Sequence, residues 1–420
     1  MKHLEVVGKN VIRVDGLSKV TGRAIYPEDI TMEGMLYGKT VRSTKPHAYI
    51  RLDTREAESI EGVIKVFTAK DVPHNSHGVL YKDHEVFCSK KVRRIGDPIA
   101  FVVAENRKIA EIAASKIEVE YEELESVFDP IEAMKENSPK VHDVDNIVHH
   151  CKIRKGNVEE GFKNCAVIVE DVYKTSMVDH AFLQPEAGVA YVDEDGKIVV
   201  CAATQYTHFD QEEIAEALLV PKDHIRVINP AVGGAFGGRE DLTLQIHIAL
   251  AAKMLNKPVK AVYSREESFA AHAKRHPMIM KYKTGADKTG MLLAMEAEII
   301  ADTGAYASWV NNVVRKATTH ATGPYEIPNV KIDGYGVYTN NPFAGAMRGF
   351  GAAQVPVGHE LQMDQLAEKL NMDPITIRLK NGFRVGSTTA TGQVLHESVP
   401  LIECIEAVAK SLNLLREVQK

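Results

Sequence analysis

Hydrophobic and polar positions follow two different rhythms along this chain, and the change between them is sharpest in ENRKIAEIAASKIEVEYEEL, residues 105–124. Ile109, Ile112 and Ala113 recur at helical spacing and predict an amphipathic helix with those three on one face. From Ile117 the spacing drops to two: Ile117, Val119 and Tyr121 alternate with Glu118, Glu120 and Glu122, the pattern of a half-exposed strand. The region from about residue 20 to 125 is mixed α/β, with apolar runs such as GVIKVFTA and PIAFVVA set between Gly, Pro and Asp. Periodicity then fades through VHDVDNIVHH, so residues 131–150 are expected to be a linker between a domain over 1–130 and a larger one over 151–420.

In the second region AVIVEDVYK, KIVVCAAT, IRVIN and VKAVY read as strands, and helices are expected near 210–219 and 241–255. A further helix is predicted over Val357–Leu370, with Leu361, Leu366 and Leu370 near helical spacing. Asp373–Pro374 follows as an N-cap and N1 pair. The C-terminal LIECIEAVAKSLNLL also reads as an amphipathic helix, with Glu403, Glu406 and Glu417 on its solvated face. The fold class is α+β.

Composition narrows the function classes. The 57 acidic and 51 basic residues are spread along all 420 positions, so no basic face points to nucleic acid and no polybasic run to a membrane. Five scattered cysteines form no Cys-x-x-Cys pair, which excludes the usual iron–sulfur and zinc spacings and suits a reducing compartment. With no signal-like start and no bilayer-length apolar run, the expected location is the cytoplasm.

Chemistry concentrates in two loops. AVGGAFGGRED (231–241) follows a predicted strand and precedes a predicted helix, where backbone amides favour an anion. It has no Walker lysine, and Ala235 interrupts the Rossmann glycine spacing. TNNPFAGAMRGFGAAQ (339–354) repeats the glycine-rich character and presents Arg348 between Met347 and Gly349. Either loop alone is explained by a tight turn; two, each leading into a helix, point to a cofactor cradle. The pairs His149–His150 and His272/His276 lack zinc-like partners and read as structural.

These two loops resemble the glycine-rich cofactor loops of the molybdenum-binding subunit in the xanthine dehydrogenase and aldehyde oxidase family. RVDGLSKVTGRAIYPEDI (13–30), VRRIGDPIAFVVAE (92–105), REESFAAHAKRHPM (265–278) and DTGAYAS (302–308) extend the resemblance over nearly the whole chain. It implies an N-terminal α/β hammerhead domain followed by the first part of a molybdenum-cofactor domain. It also implies a molybdopterin, in the cytosine dinucleotide form usual in bacteria, and hydroxylation of a carbon next to nitrogen or oxygen with water as the oxygen source. Electrons would pass to [2Fe-2S] clusters and FAD on partner subunits.

Carried over by the resemblance, Gly234, Ala235, Phe236 and Gly237 lie near the pterin and the metal, with Met347, Arg348 and Gly349 on the other side. Glu240 matches the acid that holds a purine, and Arg315 the arginine that stabilises charge on a substrate oxygen, a suitable task for a fixed guanidinium. Phe343 and Phe350 are candidates either for stacking on a flat substrate or for core packing. A glutamine that approaches the metal in relatives is Val178 here, and Gln205 is its possible substitute beside the metal, together with Phe236 and Arg348. The resemblance implies no direct protein ligand to the metal. Relatives continue beyond this point to carry the general-base glutamate, so a second molybdopterin-binding chain is expected to supply it, as in nicotinate dehydrogenase. Purines and nicotinate are the leading substrates; an aldehyde oxidoreductase subunit and a non-catalytic molybdopterin-binding relative are the alternatives.

Overall fold

The computed structural model describes residues 5–412 and 414. The run PIAFVVA forms strand Pro98–Ala104, buried from Ile99 onward, because both of its faces are apolar and both are covered. It lies between Leu36–Arg42 and Val63–Phe67, antiparallel to each. The sheet continues past Leu36–Arg42, which pairs in parallel with Val259–Val262 in the register Leu36↔Val259 and Gly38↔Ala261. From there it runs through Ala187–Val192 and Ile198–Ala202 to an edge at Ile225–Ile228, making a seven-stranded sheet that draws on both sequence regions. Helix Gln245–Leu255, buried over most of its length, packs against Ala187–Val192, Ile198–Ala202 and Val259–Val262.

A small three-stranded sheet joins Lys91–Val92, Ala48–Asp53 and Glu118–Glu123. The predicted alternation holds there, with Ile117 buried, Val119 and Tyr121 half-buried and the glutamates exposed. The preceding helix is Arg107–Ala114, capped by Asn106, whose side chain accepts from the Ile109 amide at 3.0 Å. Its buried face differs from the expected one: Ala110 and Ala113 are buried, whereas Ile112 is 45% exposed. The helix lies on Leu36–Arg42 and Pro98–Ala104, and two alanines allow that close approach.

The second layer is a five-stranded sheet ordered Ile147–Lys155, Asn329–Tyr338, Leu292–Gly304, Met278–Ala286 and Val167–Thr175. Strand Ile147–Lys155 begins inside the stretch expected to be linker. Being an edge strand, it carries polar side chains such as His150, stacked on Tyr335, that mask its alternation. Helices Val310–His320 and Pro356–Lys369 cover this sheet. Leu366 is fully buried as its spacing predicts, while Leu361 is exposed. The side chain of Asp373 accepts from the amides of Ile375 at 2.9 Å and Thr376 at 3.0 Å, so the Asp-Pro start is a working cap. Glu403 and Glu406 are exposed on helix Leu401–Ser411; Glu417 lies outside the described residues. No helix among the described residues is long and apolar enough to cross a membrane.

Candidate cofactor and active site

The two glycine loops leave different sheets and converge. The first follows the edge strand Ile225–Ile228 of the seven-stranded sheet; the second follows Asn329–Tyr338 of the five-stranded one. They are tied where the Arg348 amide donates to the Phe236 carbonyl at 2.9 Å. Gly237, at φ +104°, permits the approach: a Cβ there would stand 2.6 Å from the Ala346 carbonyl oxygen. His180 Nε2 donates to that same oxygen at 2.7 Å.

Gln205 sits on the turn between strand Ile198–Ala202 and helix Thr207–Ala217 and pins the first loop. Its Oε1 accepts from the amides of Gly237 at 2.8 Å and Arg239 at 3.4 Å, and its Nε2 reaches Glu240 Oε1 at 3.4 Å. Arg239 closes the loop from inside, donating to the carbonyls of Gly234 at 2.9 Å and Gln184 at 2.5 Å, with its guanidinium over the Phe182 ring. Phe236 and Phe350 both adopt left-handed backbone, at φ +55° and +53°. Such conformations in bulky residues mark sites that the surroundings enforce. Between the loops lies a pocket of about 320 Å³ lined by Gln205, Phe236, Gly237, Glu240, Met347, Arg348 and Phe350.

Electrostatics distinguish the adjacent acids. Burial pushes the Glu240 carboxyl up to about 6, against an opposing hydrogen bond from Tyr206. Asp241, buried beneath the loop, is pushed up to about 7 by burial, its two oxygens each 2.9 Å from the Ser308 hydroxyl. Deeper still, His272 lies between Asp179 at 3.1 Å and Glu186 at 2.9 Å, and Lys274 is 3.0 Å from Asp179. Burial works against a charged His272, but the two carboxylates raise its pKa, which makes it part of the loop foundation.

Several expected residues therefore converge, and two do not. Arg315 is exposed on helix Val310–His320, where it adds to burial and His150 in lowering the His149 pKa, and it does not line the pocket. Phe343 is buried in the core, under the Arg94 guanidinium and edge-on to Tyr306. The helix after the first loop starts only at Gln245, whose side-chain oxygen already accepts from the amides of Thr243 and Leu244. Anion-binding amides must come from the loop itself.

They do. The amides of Gly234, Ala235, Phe236, Met347 and Gly349 donate to no acceptor among the described residues, and the Arg348 guanidinium has no partner among them. Unsatisfied donors flanking a glycine-lined gap fit an acceptor-rich bound group. Residues 141–382 match the model of the molybdopterin cofactor-binding domain, and residues 21–125 that of the aldehyde oxidase and xanthine dehydrogenase a/b hammerhead domain. The chain belongs to the xanthine dehydrogenase and aldehyde oxidase family of molybdopterin-binding subunits.

Among its relatives, the nicotinate dehydrogenase large molybdopterin subunit of Eubacterium barkeri is 46% identical, over 96% of each chain. The xanthine dehydrogenase molybdenum-binding subunit of Escherichia coli O157:H7 is 32% identical over 94% of this chain and 54% of its own length. The aldehyde oxidoreductase structure from Desulfovibrio gigas superposes with a TM-score of 0.92 at 31% identity, over 96% of this chain and 46% of that one. The chain thus spans nearly all of one relative and about half of the others. The family consists of molybdenum-dependent oxidoreductases, and both converging loops lie within the matched cofactor-binding domain.

An aromatic wall went unread in the sequence. Trp309, the single tryptophan, packs edge-on to Phe350 with ring centroids 6.0 Å apart and stands 6.2 Å from Tyr206. Its indole N–H is buried without an acceptor among the described residues. A lone tryptophan five residues after the glycine of DTGAYAS was the available signal.

Proposed function

We propose that the chain is the large molybdopterin-binding half of a split hydroxylase that acts on an N-heteroaromatic compound, nicotinate or a purine. The observation that carries this is the pocket between the two loops, where the partly buried Glu240 carboxyl, Arg348 and the rings of Phe236 and Phe350 line a single space beside the unpaired amides of Phe236 and Met347. The near end-to-end likeness to a nicotinate dehydrogenase large subunit supports the split arrangement. When bound, the cofactor, read as the cytosine dinucleotide form, supplies the oxygen-transfer and electron-accepting chemistry.

The chain's own residues do the rest. The amides of Gly234, Ala235 and Phe236 hold acceptor atoms of the cofactor on one side, and those of Met347 and Gly349, with Arg348, do so on the other. Gln205 keeps Nε2 toward Glu240 because its oxygen is committed to the loop. Glu240 orients the heterocycle: as a carboxylate it accepts from a ring N–H, and as the acid it donates to a ring nitrogen. Tyr206, Trp309 and Phe350 flank a flat ring and limit its tilt. The general base comes from a second molybdopterin-binding chain, and [2Fe-2S] and FAD chains take up electrons, all in the cytoplasm.

The test is the complex isolated anaerobically from its native host. Molybdenum with a second molybdopterin-binding chain, and turnover of nicotinate or xanthine, is the expected result. Glu240→Gln should then raise the barrier by about 2–4 kcal/mol, read in kcat/KM. A metal-free chain, or a complex that oxidises only aldehydes and is indifferent to Glu240→Gln, overturns the reading.

A further inference from the structure

Residues 5–25 carry apolar side chains that their own fold does not bury. Val11, Ile12, Val14, Leu17, Val20 and Ile25 are all exposed, Ile12 by 90% and Val14 completely. Isolated exposed residues are ordinary, but a contiguous run amounts to several hundred Å², roughly the scale at which a surface marks an interface. The backbone is equally unengaged: apart from the short helix Gly16–Val20, the segment joins no regular element among the described residues, and the amides of Asn10 to Asp15 donate to no acceptor among them. Asp15 is held by Arg13 at 2.5 Å and Lys19 at 2.7 Å, whereas Lys9 and Arg23 have no carboxylate partner among the described residues. The rim of this apolar run is therefore basic.

Its position ties it to the site. The arm meets the first glycine loop where the Ala231 amide donates to the Ile25 carbonyl at 3.1 Å, and Lys260 anchors the next turn through the Glu28 carbonyl at 2.7 Å. Leu183, 89% exposed, flanks the same loop, next to Gln184, whose Oε1 accepts from the Gly233 amide at 2.8 Å. Exposed apolar side chains of the arm and Leu183 thus both sit beside the loop that supplies Phe236 and Gly237 to the pocket. The relatives that this chain half-spans carry a comparable further length of polypeptide, a body large enough to cover both the arm and the loop.

We propose that residues 5–25 are a strap that docks on the second molybdopterin-binding polypeptide, on an apolar face rimmed by carboxylates, and so fixes the first loop. The inference rests on the split-subunit reading. Ile12→Glu with Val14→Glu tests it in the complex purified from the host, since neither side chain packs against its own chain. The double variant should lower companion recovery by about tenfold or more, with molybdenum, at an unchanged circular-dichroism melt of the chain. Hydrogen exchange is the second measurement: the amides of Asn10–Asp15 should be protected by about 100-fold or more in the wild-type complex and lose that protection when the companion is released. Full companion retention by the double variant, or free exchange of those amides in the intact complex, overturns the strap and leaves the split reading standing. A wild-type chain that purifies with no second molybdopterin-binding polypeptide, or only with a second copy of itself, overturns both.

Discussion

Asp241 follows Glu240 directly, yet the two carboxyls face different surroundings: Glu240 lines the pocket, while Asp241 is sealed beneath it against Ser308. Burial raises Asp241 from the ordinary 3.8 to about 7, so between those values the folded chain keeps a proton that the unfolded chain has released. Its contribution to stability therefore falls as pH rises through that window and levels off above it. Asp241→Asn keeps the shape without the titration. The wild type should be most favoured over this variant near pH 4 and least near pH 8 in thermal melts; a difference flat across that range would remove the raised carboxyl from the account. At this scale the sequence was informative where residues act through a local loop, as Phe236, Gly237, Glu240 and Met347 do. Arg315 was legible only as a helical position: Val313, Val314 and Ala317 face inward, which turns Arg315 to the exposed side of its helix. Phe343 illustrates the other limit, since its partners Tyr306 and Arg94 come from distant segments.

Between elements, the site depends on how closely two loops approach. Gly237→Ala would set a methyl 2.6 Å from the Ala346 carbonyl and also strain a backbone at φ +104°. Gly386→Ala is the control, with φ +94° and open space around the position. The first variant should lose most of its molybdenum while the second retains it, as measured by metal analysis of the purified complex. Equal loss in both would mean that backbone strain, rather than loop contact, governs occupancy. Elements with strong local signals were legible, among them the Asp373 cap and the helix-to-strand switch at Ile117. Strand Ile147–Lys155 was not, because its identity comes from pairing with Asn329–Tyr338, far along the chain. Likewise, no local pattern reveals that the Gln245 side chain already occupies the amides ahead of its helix.

Across the whole molecule, the parallel pairing of Leu36–Arg42 with Val259–Val262 joins the two sequence regions in one sheet. A fragment of residues 1–130 would leave that central strand as a bare edge, and such edges associate. It should aggregate or bind a hydrophobic dye when expressed alone; a monomeric, cooperatively melting fragment would show that the hammerhead region stands by itself. The shared sheet was not readable in the sequence, because its pairing partners are separated by more than half the chain. The contact between Arg348 and Phe236 sets an order of events in the cell. At about 5–20 residues per second, the ribosome finishes the first loop several seconds before the second has been made. The pocket cannot exist on a nascent chain shorter than this contact requires, so loading of the cofactor must wait until most of the chain has been made.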